Sequence, residues 1–333
     1  MIPGCTAKYA HDTGLVLDIL WVAFGVVVLL MLAVDLGIFN RKAHEVGMRE
    51  ALVWSVVWTV VALLFNVVVF LDAGRVRGLE FFTAYIIERA LSFDNLFVFV
   101  VIFSWFGIAR RFHHRALFWG VVGALVTRAV FIAAGVALIV RFEWILYIFG
   151  AILVYSGWKM LRDNNVEVHP DRNLVIRAAR RLFAVSAETE GGKFFLWRGG
   201  ALVLTPLFLV LVTIETTDIV FAVDSIPAVF GVTHDPFVAF TSNIFAVLGL
   251  RASYFLLENV LRTFRYLSHG LSLVLMFIGI KMLVADVVAI PIGASLGIVM
   301  VILAAAIVAS IIGERRERSR RAAAGADVDS NNQ

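Results

Sequence analysis

The stretch "ERALSFDN", Glu88 to Asn95, places two carboxylates and an amide inside a long apolar run. A second stretch, "ETTDIVFAVDS", sets Glu215, Asp218, Asp224 and Ser225 in a similar run. A carboxylate at the centre of a membrane helix costs about 2.5–3.5 kcal/mol on insertion scales, so such residues face the protein interior and mark ion pathways. If the two helices meet, five carboxylates, Glu88, Asp94, Glu215, Asp218 and Asp224, converge. Arg128 and Arg251, each mid-run in its own apolar stretch, can neutralise two of them by pairing. The remainder must be protonated, hydrated or bound to a cation. Lys159 and Lys281 lie nearer helix ends, where a lysine reaches the interface.

On an ideal helix Glu88 and Asp94 point about 120° apart and sit ~9 Å apart along the axis. Both line one cavity only where the helix unwinds. Glu215 and Asp218, three apart, share a face. Pro227 has no N–H for the carbonyl of Val223, next to Asp224, so a helix break is expected there, with an earlier kink at Pro206. A freed carbonyl beside a carboxylate is a hard-cation ligand.

The ligand inventory narrows the ion. The seven histidines (11, 44, 113, 114, 169, 234 and 269) fall in expected loops or at helix ends, and Cys5 is the single cysteine. Carboxylates, Asn95, Asn243, Ser225, Thr241 and backbone carbonyls remain. An oxygen-only set suits Mg²⁺, Ca²⁺ or Mn²⁺ and suits Zn²⁺ or copper poorly. Anions are repelled, and protons are the natural exchange partner. Asp35 is read as an interfacial acid near Arg41 and Lys42, Asn66 as a helix–helix hydrogen-bonder, and Glu258 with Arg262 as a helix-end pair. No nucleotide, zinc-protease, hydrolase or haem motif occurs, so no enzyme is expected.

The elements that must position these residues are membrane helices. Of 333 residues, 61% are hydrophobic and 16% charged, and the mean hydropathy is +0.91. Soluble domains carry roughly a quarter charged residues. The fold class is therefore all-α and polytopic. Nine spans are expected, at 15–39, 50–71, 80–106, 116–139, 142–161, 199–230, 237–258, 268–286 and 290–312. The charge of +4 resides mainly in alternate short loops such as "RKAHEVGMRE", "ARRFHHR" and "ERRERSRR", which argues topology rather than nucleic acid. The positive-inside rule places the C-terminus in the cytoplasm and, with nine spans, the N-terminus outside. Cys5 forms no disulfide within one chain.

The chain also matches itself. "ERALSFDN" aligns with "DIVFAVDS", "LVTRAVF" around Arg128 with "LGLRASYF" around Arg251, and "SGWKML" with "IGIKML". Three landmarks in the same order make predicted helices 3–5 and 6–8 two copies of a three-helix unit. An odd number of spans gives the copies opposite orientation, a plan used by secondary transporters with substrate sites at the repeat interface. The expected organisation is an extracytoplasmic 1–14, helices 1 and 2 over 15–79, and a first repeat over 80–161. A cytoplasmic loop follows over 162–198, then a second repeat over 199–286, a last helix over 287–313, and a basic, partly disordered cytoplasmic tail over 314–333. Within the loop, "VIRAARRLFAVSAE" reads either as a basic amphipathic helix on the membrane or as a solvated loop.

The stretches "ERALSFDNLFVF", "ETTDIVFAVDSIPAVF", "TSNIFAVLGLRASYFLLENVL" and "NRKAHEVGMREAL" resemble the TerC/Alx family of integral membrane proteins, and within it the Alx-like branch. The resemblance runs from about Leu15 to Ile312. It implies a prokaryotic inner-membrane protein related to the LysE superfamily of exporters and linked to manganese efflux. It maps the transport acids onto Glu88, Asp94, Glu215, Asp218 and Asp224, with Asn95 and Ser225 completing the motifs. The family's tellurium-resistance name fits the site badly, since tellurite is an anion and no thiol cluster exists. The expectation is a secondary transporter exporting divalent cations, Mn²⁺ foremost, with proton exchange, Mn²⁺ being cargo and no cofactor tightly bound. Arg128 and Arg251, with Lys159 and Lys281 in support, balance charge or gate. The alternatives are a membrane scaffold that delivers metal through a protein partner at 162–198, and a Ca²⁺/H⁺ exchanger.

Overall fold

The structure, a computed structural model, describes residues 18–34, 47–142, 144–162, 174–186, 189, 191–198, 200–258, 267–288 and 290–330. The side chain of Asp94 lies outside what it describes, as do Asp35, Arg41, Lys42 and the Glu258–Arg262 pairing.

In chain order the helices are α1 (Asp18–Val34), α2 (Met48–Asp72), α3 (Arg75–Trp105), a 3₁₀ turn (Arg110–Phe112), α4 (His113–Arg141), α5 (Ile145–Arg162) and α6 (Leu174–Leu182). Strands β1 (Ala184–Val185), β2 (Phe195–Arg198) and β3 (Ala201–Leu204) follow, then α7 (Pro206–Phe230), α8 (Pro236–Leu248), α9 (Leu250–Glu258), α10 (Leu267–Leu283) and α11 (Ile292–Ser330). Among the described residues five helices are long and apolar enough to cross a membrane: α2, α4 with its 3₁₀ turn, α5, α7 and α11 as far as Gly313. The α8–α9 pair makes a sixth if it is one bent span. The expected nine is not reached by this measure. Helices α1 and α10 are shorter, and the 31-residue α3 is long enough but carries Glu88, Arg89 and Asp94 within its apolar length.

Local chemistry explains the boundaries. Between α2 and α3 the chain reverses at Gly74 (φ +98°), a conformation that favours glycine. Thr205 caps α7 by accepting from the Phe208 amide at 3.4 Å, and Asp235 caps α8 by accepting from Phe237 at 2.9 Å. Each helix then opens with proline, which needs no partner at that position. Pro206 therefore starts α7 and does not kink it, contrary to the sequence expectation. Pro227 lies in the last turn of an α7 that stays continuous to Phe230. The break expected beside Asp224 is absent because the helix ends three residues after Pro227, where one lost backbone bond costs little. Helix α3 is likewise continuous through Glu88 and Asn95.

Three further expectations are corrected. The predicted helix over 199–230 begins only at Pro206, because residues 201–204 form β3. The sheet has order β1-β3-β2, with β1 parallel and β2 antiparallel to β3. Arg198 pairs with Ala201, and the sequence between them is Gly-Gly, a pair favoured in two-residue turns. The single helix expected over 237–258 is two, bent by 40° at Gly249. The helix expected to end near Ile312 continues to Ser330; its Glu, Arg and Ala residues over 314–324 are good helix formers. Of the two readings of the basic stretch in the 162–198 segment, helix or solvated loop, the structure has a helix, α6.

Packing is organised around two crossings. Helix α3 lies against α7 and α8, and α4 lies against α7. Helix α5 runs along α10. That contact is held by small residues: a Cβ on Gly279 would stand 2.6 Å from the carbonyl oxygen of Gly150, and one on Gly157 would stand 2.7 Å from that of Ser272. Small residues at such crossings let helix backbones approach closely in membranes. The outward faces of α2, α4 and α11 carry exposed Leu52, Leu64, Val126, Val130, Val301 and Val308.

A buried ion-pair centre and its outer cavity

Arg128 of α4 is fully enclosed, at 0% exposure, with Glu88 of α3 and Asp218 of α7 at 1% each. Its guanidinium donates from Nε to Asp218 Oδ2 at 3.2 Å and from Nη2 to Oδ1 at 3.1 Å. Its Nη1 donates to Glu88 Oε1 and to Asn243 Oδ1 of α8, at 3.2 Å to the latter. A forked guanidinium gripping one carboxylate with two bonds is the strong, directional form of this pair. Four helices thus meet on one side chain. One positive charge faces two carboxylates.

Three buried polar atoms in this region lack a partner among the described residues: Glu88 Oε2, Ser225 Oγ and Asn243 Nδ2. Ser225 nevertheless stands close enough to Glu88 for its hydroxyl to interact with the carboxylate. Ser92 Oγ, one turn along α3 from Glu88, is a fourth. A buried polar atom without a partner forfeits its hydration, so each is unusual in a native interior.

The other sequence-singled acids go elsewhere. Glu215 shares the Asp218 face, as its three-residue spacing requires, but its carboxylate rests against Gly123 of α4, where a Cβ would collide with it. Asp224 points to α5 and accepts from Ser156 at 2.6 Å, with Lys159 within electrostatic reach. Asn95 is buried. Among the described residues no three His, Cys, Asp or Glu side chains are grouped to hold a metal ion. The structure therefore joins Glu88 and Asp218 and does not draw Glu215 and Asp224 into the same cluster. Arg251, buried at 5%, lies just past the α8–α9 bend. Lys281 donates to the Gly231 carbonyl at 3.3 Å, at the end of α7. Asn66 Oδ1 has no partner among the described residues. His113 is packed into the core, stacked on Phe103 at 4.0 Å and bonded to Ile108 and Tyr254.

Sequence reasoning passed over Arg89, although it stands inside the first motif. It crosses to the bend, donating to the Ala246 carbonyl at 3.3 Å and to Ser253 Oγ at 2.7 Å. It fills the space that Gly249 leaves open. The signal was its type: a second intramembrane charge beside Glu88. Ser156, the first residue of "SGWKML", was also overlooked as a carboxylate partner.

A cavity of about 600 Å³ opens where the start of α3, the end of α7, the start of α8 and the end of α10 meet. Its polar lining is Arg77, Glu80, Thr233, His234, Asp235 and Lys281. Arg77 pairs with Asp235 at 2.7 Å, and Thr233 donates to Glu80 at 2.7 Å. Glu80 precedes Glu88 by eight residues, ~12 Å along α3.

Long apolar helices around a buried ion-pair centre are the features of an integral membrane protein. The particular family follows from comparison: the chain belongs to the Integral membrane protein TerC family, whose model matches residues 73–318. It is 47% identical to "Uncharacterized membrane protein STKORF319" of Myxococcus xanthus over 89% of this chain and 93% of that one. It is 44% identical to "Putative membrane-bound redox modulator Alx" of Escherichia coli (strain K12), covering 86% and 92%. The Salmonella typhi protein of the same description is 42% identical, covering 91% and 98%. No solved structure matches the chain.

Proposed function

We propose that this protein is a secondary transporter that exports divalent metal cations, Mn²⁺ foremost, across the inner membrane in exchange for protons. The observation that carries the reading is the pair of fully buried carboxylates, Glu88 and Asp218, on different membrane helices and outnumbering the arginine between them. Glu88 Oε2 and the Ser225 hydroxyl beside it add oxygen donors that Arg128 does not engage. Oxygen donors of this kind suit hard divalent cations. Manganese in particular comes from the family resemblance, since Mg²⁺ and Ca²⁺ suit the same donors.

In the arrangement described, Arg128 is a tethered cation. A divalent ion reaches Glu88 and Asp218 only if the guanidinium yields one of them, and its return drives the ion out. Arg128 then supplies both charge balance and ejection, while Asp94, Asn95, Glu215, Asp224 and Ser225 form the rest of the path. The cavity beyond Glu80 is the outer vestibule. Arg251 and Lys281 take supporting roles near the bend and the vestibule, and Lys159 beside Asp224.

Counting α1, α3, the α8–α9 pair and α10 with the five long apolar helices gives nine spans, with the N-terminus outside and the C-terminus cytoplasmic by the positive-inside rule. An inverted repeat is supported by the packing. Gly157 and Gly279 are matched residues of "SGWKML" and "IGIKML". Each meets a backbone carbonyl of the other helix seven residues back from its counterpart, at Ser272 and Gly150. Helix α3 meets α8 as α7 meets α4. The relatives' descriptions speak of redox modulation. With Cys5 as the single cysteine, such a role runs through cation content rather than a dithiol in one chain.

The test is flux. Purified protein in liposomes holding a metal-sensitive dye is offered Mn²⁺, Ca²⁺, Mg²⁺ and Zn²⁺ in turn, with and without a pH gradient. Saturable Mn²⁺ flux that the gradient accelerates is expected. Flux of Ca²⁺ in preference to Mn²⁺ would reassign the cargo. Absence of flux for every cation, from folded protein, would refute transport and favour a metal-delivery scaffold.

A further inference from the structure

As far as it is described, the segment between α5 and α7 is α6 and the three-stranded sheet, and its exposed surface has the chemistry of a lipid interface. Its attachment is tight. Strand β3 ends at Leu204 and α7 starts at Pro206, so one residue separates the sheet from a membrane-spanning helix. That residue, Thr205, donates to the Lys193 carbonyl at 2.7 Å while capping α7. The Ser186 amide bonds the Leu204 carbonyl at 2.8 Å. Helix α6 packs on α7, and its Ile176 is buried.

The exposed surface is apolar where a water-facing loop would be polar. Leu182 and Trp197 are each 75% exposed, and Val175, Phe183 and Phe195 are also open. Val175 and Leu182, seven residues apart, form one stripe along α6. Arg177 and Arg181 project from the other side of the same helix, which carries three arginines and no acid. Phe195 and Trp197 share a face of β2, opposite the buried Leu196. Phe195 packs on Phe208 in the first turn of α7 at 4.8 Å. The sheet face that bears Trp197 is therefore the one turned toward the start of α7.

We infer that α6 and the β2 face form an anionic-lipid binding surface: the Val175–Leu182 stripe and Trp197 enter the headgroup region, and the α6 arginines hold lipid phosphates. Aromatic residues favour the membrane–water boundary, and an amphipathic basic helix lies in it. The inference needs only the membrane class of the protein and is independent of what the buried centre carries.

The experiment uses the full chain in lipid nanodiscs. In a Cys5→Ser background, Leu182→Cys and Trp197→Cys are each labelled with an environment-sensitive fluorophore. Discs contain phosphatidylcholine alone or with phosphatidylglycerol, with and without brominated acyl chains. Both labels are expected to emit as in an apolar medium and to be quenched by brominated lipid, more strongly with phosphatidylglycerol. Adding Arg177→Gln and Arg181→Gln is expected to weaken the preference for anionic lipid by roughly fivefold per arginine. Water-like emission without quenching in every disc overturns the inference, as does burial of the labels that appears only when a soluble protein is added. Quenching that is equal in both lipids and indifferent to the arginines overturns the anionic part.

Discussion

Arg128 and Arg251 occupy matched positions in two segments with the same apolar pattern, yet the segments are built differently. Helix α4 is continuous, and Arg128 spends its donors on Glu88, Asp218 and Asn243. The matching stretch is cut at Gly249 into α8 and α9, two residues before Arg251. There the freed carbonyl of Ala246 is met by Arg89 from α3. One segment spends a charge on closing the centre, and the other borrows a charge to stabilise a bend. The lesson is that a duplicated sequence pattern supplies a rigid wall on one side and a jointed one on the other.

The largest expected effect is on the rigid side. Arg128→Ala strands two buried carboxylates and should cost about 3–5 kcal/mol, read as thermal unfolding in detergent. Glu88→Gln with Asp218→Asn in the same chain should restore most of that loss. Arg128→Lys keeps the charge but not the fork, so it should recover only part of it. Full recovery by lysine would show that charge alone holds the centre.

Next in size is the α5–α10 crossing. Gly279→Leu should cost about 1–3 kcal/mol by overpacking, because a backbone carbonyl has no rotamer to move. Gly157→Leu should cost a similar amount if the two helices are related as inverted copies. A large cost at one and none at the other would break that relation.

On the jointed side, Gly249→Ala pushes a methyl group into Arg89. Arg89→Ala should absorb most of that cost, giving a coupling of about 0.5–3 kcal/mol between the two sites. Additive effects would separate Arg89 from the bend. The smallest effect is at the outer cavity, where Thr233→Val removes the bond to Glu80 and should cost about 0.5–1.5 kcal/mol.

Much of this was legible in the sequence because apolar length and intramembrane charge are strong signals. The positions of α2, α4, α5 and α11 follow from hydropathy alone, and Arg128 paired acids as its mid-span location implied. Periodicity could not show that Glu215 and Asp224 turn to α4 and α5 separately, because that depends on which neighbours surround α7. The sheet was hidden because "FFLWRGGALVL" is as apolar as a helix, and only its paired glycines mark the turn. Prolines misled for a positional reason: Pro206 and Pro227 sit in the first and last turns of α7, where the missing N–H matters least. The true bend carries a glycine, and its stabilising arginine comes from another helix.

The most direct measurement is Mn²⁺ binding to the purified protein, followed by loss of the free-ion paramagnetic resonance signal, for wild type and Asp218→Asn. Removing one carboxylate that Arg128 and the cation share should weaken binding at least about tenfold, the equivalent of 1.4 kcal/mol, in a variant that still inserts and unfolds cooperatively. Saturable Mn²⁺ binding by wild type that Asp218→Asn leaves unchanged would contradict the account, because the buried centre would then not be where the cation sits.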